Sequence, residues 1–266
     1  MPGFVVAGRA EGAPWNVLSF KDDARVRLKK GEDLASREAP LRMIVLHTTK
    51  GGIGKGRDAN LVKPGFGPST DVARRIARLW STDGRNAGAH VSIDSDGAVC
   101  CHCDLLVDAA YHAGKVNQRS IGIEIFQELD GTVYEEQLGR CVEVVDWLTR
   151  RFKIQRQFPT VGKMKVIDRV ASGGKGVVGV VGHCHASGNR GPGDPGAAIF
   201  QRLAATGYEA LDFAAGEDLR VWENRQRMIK AHVDGVAGEQ TANLLEDFGS
   251  AQGKYRGGLW VPRPGD

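Results

Sequence analysis

Two histidines and one aspartate stand where a metal ion could be held. His47 and His183 each follow a short apolar run, and Asp194 lies eleven residues beyond His183, between a glycine and a proline. If the two runs are central strands, their ends meet on one rim of a sheet, where the side chains can converge. Two imidazoles and one carboxylate form a catalytic type of Zn²⁺ site, which leaves one tetrahedral position open. Taken singly, either histidine could instead be a hydrogen-bonded residue at a strand end.

A glutamate inside an apolar strand is the candidate proton acceptor. Glu124 lies within the run 120–126, in which the isoleucines at neighbouring positions point to the opposite face of a strand. Burying a carboxylate that has neither a partner nor a function is costly, which favours a catalytic role. The alternative is an edge strand that leaves Glu124 in solvent, and the pattern of residue types leaves both interpretations open.

Four consecutive residues, Cys100 to Cys103 with His102 among them, also suggest a metal site. On a strand Cys101 and Cys103 share one face while the other two share the opposite face, so the four do not converge. We therefore interpret them as small apolar strand residues. The five cysteines lack the spacing of a disulfide framework, which fits a reducing compartment. His185, two residues beyond His183, could be a surrogate ligand, but we predict that it is a loop residue.

The segments between these residues predict the elements that position them. Strands and helices interleave, so we expect an α/β fold with a mixed central β-sheet flanked by helices. Residues 1–40 are expected to wrap over this body without forming a core of their own. The predicted strands are 42–47, the two arms of a hairpin over 89–105, 120–126 and 177–181, and the predicted helices lie between Asp71 and Asp83 and over 136–152.

The composition fits one large core with a small appendage, since 41% of the 266 residues are hydrophobic and 26% are charged. No apolar stretch approaches the ~20 residues of a membrane span, and the N-terminus does not resemble a secretion signal. A net charge of +4 is too small to indicate nucleic acid. Residues 207–250 hold nine acids and four bases, which leaves 32 bases against 23 acids elsewhere. This basic remainder suits an anionic polymer.

Five short motifs occur in order between residues 41 and 200. They are Ile44–Thr49, Gly88–Ile93 with Asp96-Gly97, Tyr111–Gly114, Asn117 with Ser120–Glu124, and Val181–His183 with Asp194–Gly196. Together they resemble the zinc-dependent N-acetylmuramoyl-L-alanine amidases, a family that shares its fold with the peptidoglycan recognition proteins. Any one motif is weak evidence, but five in this order and spacing are hard to obtain by chance.

The resemblance implies an activity and a set of site residues. The activity is hydrolysis of the amide bond between the lactoyl group of N-acetylmuramic acid and the L-alanine of the stem peptide. Zn²⁺ would be the cofactor, and Glu124 would take the place of the catalytic glutamate. The implied zinc ligands are His47, His183 and Asp194, and the implied substrate-binding residues are Tyr111, His112 and Asn117.

One position departs from the family pattern. Many relatives carry a lysine two residues before the ligand aspartate, where it can stabilise the oxyanion, but this chain has Pro192 there. Arg190 is the nearest cation that could replace that lysine, and it is our second candidate catalytic residue. Its planar guanidinium would contact the oxyanion differently from a compact ammonium group. A solvated loop arginine is the alternative interpretation.

The C-terminal part predicts a separate unit. After a catalytic domain over 1–205, residues 206–250 are expected to form a small helical unit, and 251–266 an irregular tail. The turn Asp234–Thr241 resembles the Asp-Gly-x-x-Gly-x-x-Thr turn of helical peptidoglycan-binding modules. A helical hairpin packed on the amidase body is the alternative.

Peptidoglycan or a muropeptide is therefore the expected partner, and the cell wall is the expected place of action, reached without a recognisable signal peptide. A recognition protein that binds muropeptides without cutting them is the rival function, favoured by the missing lysine. A phage lysin, a recycling enzyme and an antibacterial effector could all use this chain. An effector would also bring an immunity protein as a partner.

Overall fold

The computed structural model describes residues 3–49, 61–82, 86–160, 179–186, 194–212, 253–256 and 259–262. The strands in these ranges are β1 Gly3–Val6, β2 Arg9–Gly12, β3 Val17–Ser19, β4 Leu34–Ser36, β5 Met43–Thr48, β6 Leu61–Lys63, β7 Val91–Ile93, β8 Val99–Cys101, β9 Asp108–Ala110, β10 Ser120–Ile125, β11 Thr132–Tyr134, β12 Gln157–Thr160, β13 Gly179–Gly182, β14 Glu209–Asp212, β15 Gly253–Arg256 and β16 Leu259–Pro262. The α-helices are α1 Val72–Thr82, α2 Glu135–Phe152, α3 His183–Ala186 and α4 Ala197–Ala205, and 3₁₀ turns cover Ala24–Val26 and Gly114–Arg119. None of these helices is both long enough and apolar enough to cross a bilayer.

A six-stranded sheet forms the centre of the fold, in the order β13-β5-β10-β7-β8-β3. β5 pairs in parallel with β13 and with β10, and β10 pairs in parallel with β7. β7 and β8 pair antiparallel, as the predicted hairpin over 89–105 requires. The expected mixed central sheet is confirmed, and β5 and β10 are both interior strands.

Alternation along β10 shows why one face of the sheet is buried. Ile121, Ile123 and Ile125 all point to one side, where they join the main hydrophobic core together with Leu148 of α2. Apolar residues recur along α2 every three or four positions, so one stripe of the helix covers this face. The predicted helix over 136–152 is confirmed. The other face of β10 carries Ser120, Gly122 and Glu124.

The strand partners of β10 settle the position of Glu124. In the register of the sheet, Glu124 is opposite His47 of β5 on one side and Ser92 of β7 on the other. The alternative that placed this strand at an edge of the sheet is therefore wrong, because neighbouring strands pair with both of its sides.

We expect Ile123→Ala to lower the free energy of unfolding by about 2–5 kcal/mol, because it removes buried carbons and leaves a cavity. Ile123 is fully buried in the main core. Chemical denaturation checks this value. Leu129→Ala is the control, since Leu129 is 76% exposed and its loss should change stability by no more than about 0.5 kcal/mol. Equal effects of the two substitutions would contradict the placement of β10.

The N-terminal segment is joined to the body by strand pairing. β3 extends the central sheet by pairing with β8, and β4 pairs with β9. Phe4, Val5 and Val17 are buried in the main core, so this segment adds to that core and forms none of its own.

The C-terminal part differs from the expected domain plan where it is described. β14 pairs with β12, and the preceding Tyr208 is buried with its hydroxyl 2.9 Å from Thr149 Oγ1 of α2. The expected boundary at 205 is therefore crossed by chain that packs on the body. Residues 213–252, most of the expected helical unit, lie outside the described residues. The expected irregular tail contains an antiparallel pair, β15 with β16, which β-forming residue types around a Gly-Gly pair favour.

Candidate metal centre

Two neighbouring parallel strands bring His47 and His183 to the same rim. His47 is the fifth residue of β5, whereas His183 follows the last residue of β13 and begins α3. Gly182 of β13 is opposite Leu46 of β5, so the next residues of both strands are also side by side. The sheet register therefore places the two imidazoles together, as predicted, although the strand before His183 lies at the edge of the sheet and not at its centre.

The three predicted ligands meet at one point. His47 Nδ1 lies 2.9 Å from His183 Nδ1, and His183 Nδ1 lies 3.2 Å from Asp194 Oδ2. One potential ligand atom from each of the three residues lies within 4.8 Å of the other two. All three residues are buried. The described residues contain no second group of three such side chains.

The donor set and its dimensions fit a small tetrahedral cation. Zn²⁺ binds imidazole nitrogen and carboxylate oxygen at about 2.0–2.2 Å, which places neighbouring ligand atoms of a tetrahedron roughly 3.3 Å apart. The contacts of 2.9 and 3.2 Å are close to that separation. Of two ring nitrogens at 2.9 Å, at most one can carry a hydrogen directed at the other, so at least one imidazole lone pair faces this point beside the Asp194 carboxylate. These residues fit a metal ion.

Main-chain contacts hold Asp194 in place. Thr48 donates its backbone N–H to Asp194 Oδ1 at 3.0 Å, and Cys184 donates its own to the Asp194 carbonyl oxygen at 3.0 Å. Gly182 allows this approach, because a Cβ at that position would lie 2.7 Å from Pro195 Cδ and 3.2 Å from the Asp194 carbonyl oxygen. The carboxylate is thus oriented by the strand that also carries His47.

Glu124 lies beside this centre. Because paired residues of adjacent strands point to the same face, the pairing of Glu124 with His47 places both on the face of the sheet opposite the main core. Glu124 is partly exposed, unlike the isoleucines on either side of it. A partly exposed carboxylate on the strand next to a ligand can meet a substrate that approaches the centre.

The three residues implied to bind substrate follow β9, and two of them interact mainly with the protein. His112 Nδ1 lies 3.0 Å from His47 Nε2, and His112 Nε2 lies 3.1 Å from Ser120 Oγ. Asn117 Oδ1 accepts hydrogen bonds from the backbone N–H groups of His112 and Ala113, at 3.2 and 2.6 Å. Asn117 therefore shapes the loop that carries His112, whereas Tyr111 is half-buried.

Burial governs the protonation of the histidines behind the centre. Burial, together with the nearby His90, His183 and Arg37, lowers the pKa of His112 well below its usual value. His90 is fully buried, and burial lowers its pKa to about 3, helped by the charge of Arg37. Both rings are therefore neutral near pH 7.

Arg37 has a structural role that no pattern in the sequence indicates. Its guanidinium donates to the carbonyl oxygens of Gln118 (2.8 Å), Asp108 (2.7 Å) and Ser120 (3.1 Å), and Nη2 lies 2.9 Å from His90 Nε2. Burial lowers its pKa to about 10, which leaves it charged. Arg37 thus connects the N-terminal segment to the residues 108–120, which include the His112 loop. A lone arginine in a mixed segment carries no signal of such a role.

The remaining candidates contribute no metal ligand within the described residues. His185 is not the predicted loop residue, since it lies in α3 with its ring fully buried, and its Nδ1 accepts the Gly182 N–H at 2.8 Å. Burial raises the thiol pKa of Cys100 and of Cys101 to about 12, so both remain protonated and inert, as their strand placement predicted. Arg190 and Pro192 lie outside the described residues.

Comparisons with known proteins agree with the motifs. The family model described as N-acetylmuramoyl-L-alanine amidase matches residues 37–197. None of the curated proteins matches the chain.

Three of the similar solved structures carry the names of two bacteria and one insect. A mutant endolysin from Bacillus subtilis has 18% sequence identity and a TM-score of 0.43, and the match covers 66% of this chain and 89% of that chain. A Drosophila PGRP-LB mutant in complex with tracheal cytotoxin has 16% identity and a TM-score of 0.45, with 73% and 95% of the two chains covered. The endolysin amidase LysCS from Clostridium intestinale has 16% identity and a TM-score of 0.41, with 73% and 96% covered.

Proposed function

The chain belongs to the N-acetylmuramoyl-L-alanine amidase family, and from this premise we propose that His47, His183 and Asp194 hold a catalytic Zn²⁺ while Glu124 moves the proton. The family reaction is hydrolysis of the amide bond between N-acetylmuramic acid and L-alanine in peptidoglycan. One observation carries the proposal for the metal: three side chains far apart in the sequence place their donor atoms within 4.8 Å of one another.

The metal ligands and Glu124 have different roles in the proposed hydrolysis. His47, His183 and Asp194 would hold the Zn²⁺ ion, which would polarise the scissile carbonyl as a Lewis acid when bound. Glu124 accepts a proton from the attacking water as the water oxygen bonds to the carbonyl carbon. Glu124 then returns that proton to the amide nitrogen as the carbon–nitrogen bond breaks, which yields a lactoyl carboxylic acid and a free L-alanine amine. The second proton of the water passes from the acid to the amine or to solvent, which leaves a carboxylate. The backbone N–H of Thr48 keeps the Asp194 carboxylate oriented throughout.

We also propose roles for residues that supplement this set. Tyr111, half-buried beside the His112 loop, would line the groove for the stem peptide, with Asn117 shaping its wall. Arg190 is proposed to stabilise the oxyanion in place of the missing lysine, and only its position near Asp194 in the sequence supports this role.

The proposed place of action is the cell wall, because peptidoglycan is the substrate of the family reaction. A phage lysin, a recycling enzyme and an antibacterial effector are alternative roles, and an immunity protein would be a partner only in the effector role. We propose that residues 206–250 help to bind peptidoglycan. Only the turn motif at Asp234–Thr241 supports this role.

Mass spectrometry of digested sacculi tests the reaction. The purified chain should release free stem peptides that begin with L-alanine, and leave intact glycan strands. A chelator should abolish the release and added Zn²⁺ should restore it, because the ligands alone do not polarise the carbonyl. Sacculi that bind the protein but release no peptide would favour the recognition function. Release that persists in chelator would refute the metal centre.

A further inference from the structure

A line of hydrogen bonds runs from the main chain to His47. Ser120 Oγ lies 2.7 Å from the Val116 carbonyl oxygen and 3.1 Å from His112 Nε2. His112 Nδ1 lies 3.0 Å from His47 Nε2, and the other nitrogen of His47 faces His183 at 2.9 Å. Four residues thus connect a backbone carbonyl to the candidate metal centre.

The chemistry of the donors fixes the direction of every bond in this line. A carbonyl oxygen only accepts, so the single hydroxyl hydrogen of Ser120 points to Val116. Ser120 Oγ must then accept the hydrogen of His112 Nε2. A neutral imidazole with its hydrogen on Nε2 has a lone pair on Nδ1, which accepts from His47 Nε2–H.

We propose that Ser120 and His112 are positioning residues that hold His47 in the tautomer with its Nδ1 lone pair directed at the metal. The inference rests on the proposed function, since it concerns a ligand of the proposed Zn²⁺. It also assigns His112 a different task from substrate binding, because both of its ring nitrogens are engaged within the protein. A partner that fixes the tautomer and orientation of a ligand histidine commonly strengthens metal binding.

The surroundings of His112 leave its ring little freedom. A Cβ on Gly122 would lie 2.6 Å from His112 Cγ and 2.7 Å from Nδ1, so the ring rests directly on the backbone of β10. The rings of His47 and His112 meet edge to face, with their centroids 5.1 Å apart. Ser120 is fully buried, so a bound substrate does not contact it.

A second buried serine–histidine pair in the fold resembles Ser120 and His112 but does not contact the metal centre. Ser92 Oγ lies 2.7 Å from His102 Nε2 and 3.0 Å from the Ala73 carbonyl oxygen of α1. His102 Nδ1 lies 2.7 Å from the Val26 carbonyl oxygen rather than near a candidate ligand. Ser92 and Ser120 therefore occupy similar buried settings, but only Ser120 is connected to the metal centre.

The test measures the affinity of the full chain for Zn²⁺ alone, in competition with a chromophoric chelator. Ser120→Ala should weaken binding by about 10-fold and His112→Phe by about 10–100-fold, the range for partners of ligand histidines. His112→Asn should bind more tightly than His112→Phe, because its amide oxygen can accept from His47 Nε2. Ser92→Ala should match the unaltered chain.

A second measurement does not depend on any variant folding. In the ¹⁵N-histidine-labelled chain loaded with Zn²⁺, His47 should show a protonated Nε2, and a protonated Nδ1 would overturn the inference. Unchanged affinity in both Ser120→Ala and His112→Phe would overturn it as well, while leaving the metal centre in place. An unaltered chain that binds no Zn²⁺ would instead overturn the proposed function, and this inference with it.

Discussion

Replacing Glu124 with glutamine is expected to lower kcat by about 10²–10⁴-fold, the usual contribution of a positioned general base. The substitution keeps the shape of the side chain but removes its capacity to take a proton. Glu124 is not among the three converging side chains, so the bound Zn²⁺ should stay near one equivalent. Steady-state hydrolysis of a defined muropeptide, with metal analysis of the same sample, measures both quantities.

The control for this variant is Glu136→Gln. Glu136 is an exposed carboxylate of α2, the helix that packs on the opposite face of the sheet, so its loss should leave kcat unchanged. A Glu124→Gln enzyme that works at the rate of the unaltered chain would remove Glu124 from the mechanism. Loss of metal together with turnover would show that Glu124 supports the centre instead.

Replacing Asp194 with alanine is expected to abolish both the bound metal and the activity. Two imidazoles without the carboxylate lack one of the three protein ligands of a catalytic Zn²⁺ site. The unaltered chain should gain about 2.7 kcal/mol of unfolding free energy when free Zn²⁺ is 100 times its Kd, and Asp194→Ala should gain none at that concentration. Metal analysis after dialysis and thermal unfolding with and without Zn²⁺ measure the two effects.

Asp130→Ala provides the comparison for this second variant. Asp130 is an exposed carboxylate near Lys63, and its side chain is 54% exposed, so its removal should leave metal content and Zn²⁺ stabilisation intact. Full Zn²⁺ occupancy in Asp194→Ala would refute the proposed ligand set.

The sequence was sufficient to predict the main strands and helices of the body and the three converging residues. The strands that carry or precede His47 and His183 are apolar runs, and their parallel pairing brings the two histidines together, although β13 is the edge strand of the sheet and only β5 is interior. The sequence could not settle the position of Glu124, because the pattern of alternation is the same in an edge strand and an interior strand. Only the pairing of β10 with both β5 and β7 decides it.

Other features depend on tertiary contacts that leave no local pattern. The role of Arg37 follows from carbonyl groups about 70 to 80 residues away in the chain, and the link from Ser120 to His47 passes through His112. His185 looked like a loop residue, because a four-residue helix has too few positions to show a helical period. Each of these follows from packing, which residue spacing alone does not encode.

The wide separation of the ligands along the chain has a consequence for biosynthesis. His47 and His183 lie 136 residues apart, and Asp194 follows still later. Domains form from the N-terminus as the ribosome extends the chain, so a nascent polypeptide that contains β13 but has not yet reached Asp194 has all six strands of the central sheet and still lacks a complete ligand set. Under the proposed mechanism, the ability to cut peptidoglycan arises only when translation of this domain is nearly finished.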